Sequence, residues 1–347
     1  MKSLFNYNIE QLQNYLSEQG FKPFSAKQIY AWLYKRRVFN PELMTDLNKA
    51  TRQHLIDHFN SPLLSLRTHQ VSADGTIKYL FETADKSLVE TVLMTHDYGY
   101  SICVTTQLGC SMGCKFCASG LVKKQRDLTT AEMVLQVLQV QQYLDAEDNR
   151  ISNIVIMGTG EPFDNYEQVM NFIYIVNSDF GLGIGARRIT VSTCGLIPGI
   201  KKFSDAQLQV NLAISLHAPN QHIRQEMMPI AKVYPLDQLM DSLKYYLSKN
   251  NRRLTFEYIL LKDVNDSIDQ AQELVQLIRG MNAYVNLIPY NEVDEHGYKT
   301  SSFKQSMKFY DHLKRHGIQV TLRKEQGRDI DAACGQLRSK HIKRGTA

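Results

Sequence analysis

Short apolar segments alternate with helical segments over most of the chain, and this alternation restricts the fold more than any other feature. Seven apolar stretches are predicted to be strands, at residues 101–106, 153–157, 188–192, 210–215, 254–260, 284–288 and 318–322. Helical patterns separate most of them, the clearest being residues 130–145. Strands and helices that alternate in this way form a parallel sheet, with ligands at the carboxyl ends of the strands. Seven strands are too few for a complete barrel, so we predict a partial (β/α) barrel, an α/β fold.

The N-terminal part of the chain shows helical patterns instead. Asn8 is predicted to cap a first helix, and residues 47–59 suit a third. Between them, Ser25 and Gln28 match the capping-box pattern that opens a second helix. We therefore expect a small helical domain before the barrel.

Between the helical part and the barrel, the pattern is that of antiparallel strands. Asp74-Gly75 is a hairpin turn signal, and a strand at 87–94 carries Glu90. The sequence thus predicts a helical accessory domain, a β-hairpin extension, a partial barrel and a basic tail, at residues 1–62, 63–100, 101–337 and 338–347 respectively.

Composition excludes several classes of protein. The six cysteines of this 347-residue chain lack the spacing of a disulfide framework, so we expect reduced thiols and ligands. No apolar run approaches the roughly 18 residues of a membrane span. The first residues become polar too soon for a secretory signal. We therefore expect a soluble, cytoplasmic protein, whose net charge of +5 only weakly favours a polyanionic partner.

Three cysteines stand close together in the segment Cys-Ser-Met-Gly-Cys-Lys-Phe-Cys, at Cys110, Cys114 and Cys117. Three thiolates can hold three irons of a cubane cluster and leave the fourth iron open to a small molecule. Phe116 inside the segment would help to exclude water. A structural zinc site usually needs a fourth ligand and often pairs Cys-x2-Cys units, and only one such unit occurs here. The spacing resembles that of the radical S-adenosylmethionine (SAM) enzymes, whose open iron chelates SAM.

Polar residues follow several of the predicted strands and suggest a shared pocket. The turn Gly158-Thr-Gly-Glu-Pro162 could bring its backbone close to a ligand, and Glu161 could accept a hydrogen bond from the ammonium group of SAM. The other strand-end residues are Ser192, Ser215, Leu216, His217 and Asn291.

Two further cysteines are candidates for chemistry, although a lone cysteine is by default a small buried hydrophobe. Cys334 lies in a tight segment with two acids and a glycine, which suits a reactive thiol. Cys103 precedes the cysteine loop by seven residues and should lie near the open iron.

Together these residues resemble the RlmN/Cfr family of RNA methyltransferases over nearly the whole chain, most closely its dual-specificity RlmN branch from Gram-positive bacteria. The motifs that carry the resemblance are residues 89–92, Cys103, the cysteine loop, the 158–162 turn, Ser192-Thr193, residues 215–217, residues 286–291 and residues 331–336. Two positions depart from the usual pattern: Thr159 commonly holds a larger apolar residue, and Cys194 commonly holds Ser.

The resemblance implies a radical SAM methyltransferase acting on carbon 2 of adenine, with one [4Fe-4S] cluster and two SAM molecules per turnover. Cys334 would accept a methyl group from the first SAM. The radical formed from the second SAM would take a hydrogen atom from that methyl group, which then adds to carbon 2. Cys103 would remove the carbon 2 proton and close a disulfide with Cys334, with Glu90 as the family's assigned proton acceptor. SAM would be bound by Gly160, Glu161, Ser192, Ser215, Leu216, His217 and Asn291.

The resemblance also implies partners. The RNA substrates would be 23S rRNA in its peptidyl-transferase region, protein-poor or naked, and tRNA just 3′ of the anticodon. A flavodoxin- or ferredoxin-like protein would donate electrons to a monomer. The basic run 35–37 could make the helical domain an RNA contact, although basic residues near a helix end also suit the helix dipole.

Two alternatives remain open at this point. Cfr-type methylation of carbon 8, which confers antibiotic resistance, would use the same cysteines. A non-catalytic iron–sulfur or zinc RNA-binding protein would need neither a SAM pocket nor the pair of Cys103 and Cys334.

Overall fold

A computed structural model describes residues 2–60 and 63–336. The helices are α1 Ile9–Glu18, α2 Ser25–Tyr30, α3 Lys49–His58, α4 Thr130–Asp145, α5 Tyr166–Asn177, α6 Ile197–Asp205, α7 Gln221–Met227, α8 Leu236–Lys249, α9 Ile268–Leu277 and α10 Phe303–Arg315. The strands are β1 Lys2–Ser3, β2 Phe59–Asn60, β3 Ser65–Val71, β4 Ile77–Glu82, β5 Leu88–His96, β6 Gly99–Cys103, β7 Gln107–Leu108, β8 Arg126–Asp127, β9 Ile151–Ile156, β10 Ile189–Thr193, β11 Asn211–Ser215, β12 Leu254–Leu260, β13 Ala283–Pro289 and β14 Gln319–Leu322.

One ten-stranded sheet organises the molecule, in the order β14-β13-β12-β11-β10-β9-β6-β5-β4-β3. The seven strands from β6 to β14 in this sheet run parallel to one another and follow sequence order. They correspond to the seven predicted strands, with ends displaced by a few residues at most. Within the described residues the sheet keeps two edge strands, β14 and β3, so the predicted partial barrel is confirmed. Parallel strands bury both faces, which is why these segments are so apolar.

The hairpin extension continues the same sheet, because β3, β4, β5 and β6 pair antiparallel in succession. At its tip Gly75 adopts a φ of +83°, the left-handed conformation that glycine tolerates best. Asp74 there accepts hydrogen bonds from the backbone N–H groups of Thr76 and Gly327, both at 2.9 Å. Asp329 in turn accepts from the Ser72 hydroxyl and the Ala73 N–H. The hairpin tip therefore holds the segment that leads to Cys334.

The N-terminal helices pack on α4 and α5. Asn8 caps α1 with a full capping box, as predicted, and α3 occupies the third predicted helix. The predicted capping box of α2 is wrong: Ser25 is already helical, no side chain caps the helix, and Gln28 donates instead to the Asp46 carbonyl. The Gln28 amide is used in this tertiary hydrogen bond, so it does not bond back to the backbone at the start of the helix.

The basic run after α2 is largely engaged within the molecule. Arg36 lies 4.0 Å over the ring of the half-buried Trp32, which packs against the core, and Arg36 also pairs with Asp46 at 3.6 Å. Arg37 pairs with Asp145 of α4 at 2.9 Å. The expected basic tail at 338–347 lies outside the described residues. None of the helices in the part of the chain that the structure describes is long and apolar enough to cross a membrane.

Candidate active site

A cavity of about 170 Å³ opens at the carboxyl ends of β9, β10, β11, β12 and β13. It brings together most of the residues predicted from sequence. Those that line it are Cys110, Cys114, Cys117, Gly160, Glu161, Ser192, Ser215, His217 and Cys334. Phe116, Met228 and Ile259 supply apolar walls.

The cysteine loop is held by backbone hydrogen bonds to its surroundings. Cys110 donates to the Val122 carbonyl at 3.0 Å, and Lys115 donates to the Met227 carbonyl at 2.9 Å. All three cysteines are free thiols. Burial raises the pKa of the Cys110 thiol to about 12 and raises the pKa of Cys114 and Cys117 as well. Thiols in such surroundings become thiolates when a metal binds them, because coordination displaces the proton.

The three thiols fit an iron–sulfur cluster by their chemistry. Among residues 2–60 and 63–336, no three His, Cys, Asp or Glu side chains converge tightly enough to hold one metal ion. A cubane has a different requirement, since each thiolate binds a different iron and the sulfur atoms need not converge on one point. Phe116, Met227, Met228 and Tyr290 form an apolar wall around the loop, which limits access of water.

The glycine turn after β9 is shaped by its contact with the chain segment after β6. A Cβ on Gly158 would lie 2.6 Å from the Thr105 hydroxyl, and one on Gly160 would lie 2.6 Å from the Gln107 Cβ. Gly160 also has a φ of +112°. The close approach that these glycines permit in the structure is therefore to residues 105–107, and this contact fixes the position of Glu161.

Glu161 is fully buried and directed into the cavity. Burial raises the pKa of its carboxyl group, while hydrogen bonds from the backbone N–H groups of Cys194 at 2.8 Å and Phe163 at 3.0 Å oppose that shift. A carboxylate with this support can bind a cationic group in the cavity.

His217 is a neutral hydrogen-bond donor. Its Nδ1 accepts the backbone N–H of Ile259 at 3.1 Å, so the proton lies on Nε2. Burial lowers its pKa to about 3, with a smaller contribution from Arg224. The ring stands edge-on to Phe116, with centroids 4.8 Å apart, and the residue has a φ of +57°. A non-glycine residue held in the left-handed region is a strained feature typical of functional sites.

Two of the predicted SAM residues do not line this cavity. Leu216 is completely buried, and its backbone N–H donates to the Glu257 carbonyl at 3.1 Å. Asn291 lines a smaller neighbouring cavity of about 40 Å³ together with Arg323 and Cys334. Its buried Oδ1 has no hydrogen-bond partner among the described residues.

Cys103 and Cys334 lie near each other, on β6 and on the segment that packs against β5 and β6. Cys103 lies on β6, opposite Val92 of β5, and Val92 packs against Ala332 of the segment that carries Cys334. Burial, and next the neighbouring Cys334, raises the pKa of Cys103 to about 12. The exposed Cys334 precedes Gly335, whose carbonyl accepts the Ala118 N–H at 2.7 Å. The Cys334 segment thus borders both β6 and the cysteine loop.

Glu90 is buried on β5 and is not among the residues that line the cavity. Its Oε1 lies 3.9 Å from the ammonium of Lys78 on β4. The same ammonium donates to the Asp331 carbonyl at 3.3 Å, three residues before Cys334. Lys78 therefore connects Glu90 to the Cys334 segment.

An ion pair at the cavity wall was missed by the sequence reasoning. Arg323, directly after β14, lies 4.0 Å from Glu257 of β12 and also hydrogen-bonds the Cys334 side chain. Cys334 is the largest cause of the raised pKa of Arg323, and burial raises the pKa of Glu257. Asn286 donates to Glu257 at 3.0 Å. The available signal was Glu257 itself, a charged residue within an otherwise apolar strand.

Comparison with known proteins agrees with this geometry. A family model described as the radical SAM superfamily matches residues 104–278. A second, described as a ribosomal RNA large subunit methyltransferase N-terminal domain, matches residues 2–60. The structure superposes on a crystal structure of a radical SAM methyltransferase from Sphaerobacter thermophilus with a TM-score of 0.92 and 39% identity, covering 97% of this chain and 99% of that one.

Sequence relatives extend over the full length. The chain is 53% identical to a probable dual-specificity RNA methyltransferase RlmN from Bacillus licheniformis, covering 97% of this chain and 94% of the relative. It is 52% identical to a protein of the same description from Enterococcus faecalis, covering 99% of this chain and 98% of the relative.

Proposed function

Because this chain belongs to the RlmN family of radical SAM RNA methyltransferases, we propose that it methylates carbon 2 of adenine in 23S rRNA and in tRNA. The observation that carries the proposal is one cavity shared by the three-cysteine loop and Cys334, with Cys103 beside it. A non-catalytic iron–sulfur protein has no use for this second pair of thiols.

The enzyme uses a [4Fe-4S] cluster and SAM, as its family does. When bound, they supply a low-potential electron, a methyl group and a hydrogen-abstracting organic radical. We assign the cluster to Cys110, Cys114 and Cys117. Gly160, Glu161, Ser192, Ser215 and His217 line the SAM site in this proposal. Two more residues belong to the predicted SAM set. Leu216 would act through its backbone, and Asn291 would act from the neighbouring cavity.

The proposed SAM site offers a negative group and a hydrogen-bond donor that suit the polar groups of SAM. The Glu161 carboxylate faces the cavity and suits the ammonium of SAM. The neutral His217 offers its Nε2–H to an acceptor without adding charge. The apolar wall around Phe116 keeps water from the reacting atoms, which protects reactive species.

Cys334 is the methyl acceptor in this proposal. Carbon 2 of adenine is electron-poor and does not attack the methyl group of SAM as a nucleophile, but a carbon radical can add to it. Cys334 can accept the methyl group on its sulfur and hold the carbon while it becomes that radical. The side chain is exposed and lies beside the Arg323 guanidinium.

Cys103 then resolves the covalent RNA adduct. After the radical adduct has given one electron back to the oxidised cluster, Cys103 would take the proton from carbon 2. Its sulfur would then attack the Cys334 sulfur, so that the S–S bond forms and the S–CH2 bond breaks. Cys103 loses its proton in this step and the released carbon gains one, which completes the methyl group and frees the base. Glu90 is the second candidate for the proton acceptor. Glu90 is linked through Lys78 to the segment that carries Cys334. If Cys103 is the proton acceptor, Glu90 would therefore help to position that segment.

The proposed chemistry also indicates which RNA substrates and which electron donor the enzyme would use. The target adenine must be splayed out of its stack to reach Cys334, which favours protein-poor 23S rRNA and the anticodon loop of tRNA. The domain at 2–60 matches a family named for ribosomal RNA methyltransferases, and we assign it to RNA contact. A flavodoxin- or ferredoxin-like donor would reduce a monomeric enzyme in the cytoplasm.

Mass spectrometry of rRNA and tRNA from cells with and without this protein tests the proposal. We expect the cells that contain it to carry methyl on carbon 2 of one adenine in each RNA. Methyl on carbon 8 would instead establish the Cfr-type activity. No difference in either RNA would overturn the proposed function.

A further inference from the structure

Arg224 of α7 is among the largest fully buried side chains in the described part of the chain, with 1% of its surface exposed. Arginine is almost never buried to this degree unless it is paired. None of the ion pairs formed by the described residues includes Arg224. Its Nη2 donates to the Cys194 carbonyl at 2.7 Å, and its Nε has no hydrogen-bond partner among the described residues. Within this part of the chain, no carboxylate therefore pairs directly with the cation.

Two thiols and one imidazole lie near this guanidinium. Burial lowers the pKa of Arg224, and the thiols of Cys194 and Cys114 oppose that shift. The neutral ring of His217, whose pKa Arg224 helps to lower, carries no charge that could balance the cation. The packing agrees, because the end of α7 accepts the N–H of Lys115, the residue after Cys114, at the Met227 carbonyl. On the other side of the guanidinium lies Gly195, which is so close that an added Cβ atom would be only 3.2 Å from the Arg224 Nη2. Arg224 is thus enclosed between the cysteine loop and residues 194–195.

The cluster proposed for that loop would provide the missing negative charge. Three thiolates outweigh the charge of an oxidised cubane core, and reduction by one electron makes the site more negative still. Buried Glu161, which influences Cys110 and Cys114, adds a further negative group. Reduction potentials of such clusters depend on net charge and on nearby polar groups. A fixed cation in a low-dielectric region interacts strongly with that charge.

We propose that Arg224 is the buried counter-charge of the cluster thiolates and raises the reduction potential of the cluster. This inference rests on the proposed assignment of Cys110, Cys114 and Cys117. A guanidinium stays protonated at all physiological pH values, so its contribution does not change with pH. Arg224 is a positioning residue, since it acts through the thiolates and does not line the cavity.

A purely structural role makes a different prediction. In that case Arg224 would only close the 194–195 turn through its bond to the Cys194 carbonyl, and its charge would not matter. Arg224→Gln separates the two roles, because the amide can still donate a hydrogen bond but carries no charge. Arg224→Lys is the complement, since it keeps the charge on a different donor.

Arg252 offers a matched control. It is less buried than Arg224, but its Nη2 likewise donates to a neutral acceptor, Asn211, and its Nε likewise has no partner among the described residues. It precedes β12, at the end of the strand away from the cavity. Arg252→Gln therefore removes a comparable charge and contact without touching the cysteine loop.

The experiment measures the cluster directly, in full-length protein reconstituted anaerobically with iron and sulfide and without SAM. Iron content and the midpoint potential are determined, the latter by a redox titration followed by electron paramagnetic resonance. We expect Arg224→Gln to make reduction about tenfold less favourable, a potential lower by about 59 mV. Arg224→Lys and Arg252→Gln should each change the reduction equilibrium by less than about threefold.

Two results overturn the inference. One is an unchanged potential in iron-loaded Arg224→Gln, and the other is an Arg224→Lys shift as large as that of the Gln variant. If Arg224→Gln does not take up iron, the midpoint potential is measured in Arg224→Met instead, where an unchanged value again overturns the inference. If that variant also fails to take up iron, Arg224→Lys decides: a shift of about 59 mV or more overturns the inference and a smaller one supports it. Failure of the cluster assignment looks different, because the wild-type protein would then bind no cluster at Cys110, Cys114 and Cys117. Failure of the proposed methylation would leave the cluster potentials unaffected and would appear only in the RNA.

Discussion

The cysteine loop and the pair formed by Cys103 and Cys334 are assembled in opposite ways. The loop places three thiols within eight residues and surrounds them with apolar side chains. The pair is brought together only by the fold, and Cys334 is exposed beside the Arg323 guanidinium. Buried thiols in an apolar loop suit the proposed metal binding, whereas an exposed thiol beside a cation suits the proposed group transfer. If both proposals hold, the same side chain receives two functions from two environments.

Removing one thiol from the loop should have the largest effect. Cys114→Ala, Cys110→Ala or Cys117→Ala takes a ligand from the cluster, so we expect reductive SAM cleavage to fall below detection. Iron content and SAM cleavage products are measured after anaerobic reconstitution. Cys334→Ala is the control and should still load iron. Full activity with stoichiometric zinc and no iron would contradict the assignment.

The other pair should fail in two distinct ways. Cys334→Ala lacks the methyl acceptor, so neither methylated RNA nor an RNA adduct should form. Cys103→Ala should still couple RNA to Cys334 but not release it, and the complex should appear on a denaturing gel. If both variants only lose stability and trap no RNA under reducing, anaerobic conditions, the two cysteines are packing residues.

Arg323 tests whether a fixed charge distinguishes Cys334 from the loop thiols. Arg323→Met should slow methyl transfer to Cys334 several-fold, because it removes the guanidinium that lies beside Cys334 and pairs with Glu257. Methylated Cys334 is quantified by peptide mass spectrometry, with Arg323→Lys as the charge-conserving control. Arg323→Lys should keep most of the rate, and an equal loss in both variants would point to packing alone.

The smallest effect is expected at the contact between the hairpin tip and the Cys334 segment. Asp329→Ala removes the acceptor for the Ser72 hydroxyl and the Ala73 N–H, so hydrogen exchange at residues 327–335 should rise. Methyl transfer should fall by roughly twofold, since local opening competes with the productive position. Glu325→Ala is the control, because Glu325 pairs only with exposed Arg328 among the described ion pairs. Equal exchange in both variants would show that the tip does not hold the segment.

The fold could be predicted because its signals are local. Buried parallel strands require continuous apolar runs, and Leu254–Leu260 matches its predicted bounds. The cysteine loop was predictable for the same reason. The direction in which each side chain points was not predicted. Side chains alternate along a strand and its continuation, so Ser215 and His217 face the cavity while Leu216 between them does not. The Arg323–Glu257 pair depends on strands that become neighbours only through β13, which no single segment of sequence reveals.

The two anchors of the Cys334 segment also limit how far its sulfur can travel. Gly327 and Asp329 are tied to the hairpin tip, Ala332 bonds back to Gly327 at 2.9 Å, and Gly335 is tied to Ala118. Only residues 333 and 334 lie between the last two bonds, and a chain extends by at most about 3.6 Å per residue. In the proposed mechanism, the methyl donor, the target base and Cys103 must therefore all come within a few ångströms of one nearly stationary sulfur. In such an enzyme the RNA has to move through the reaction more than the catalytic residue does.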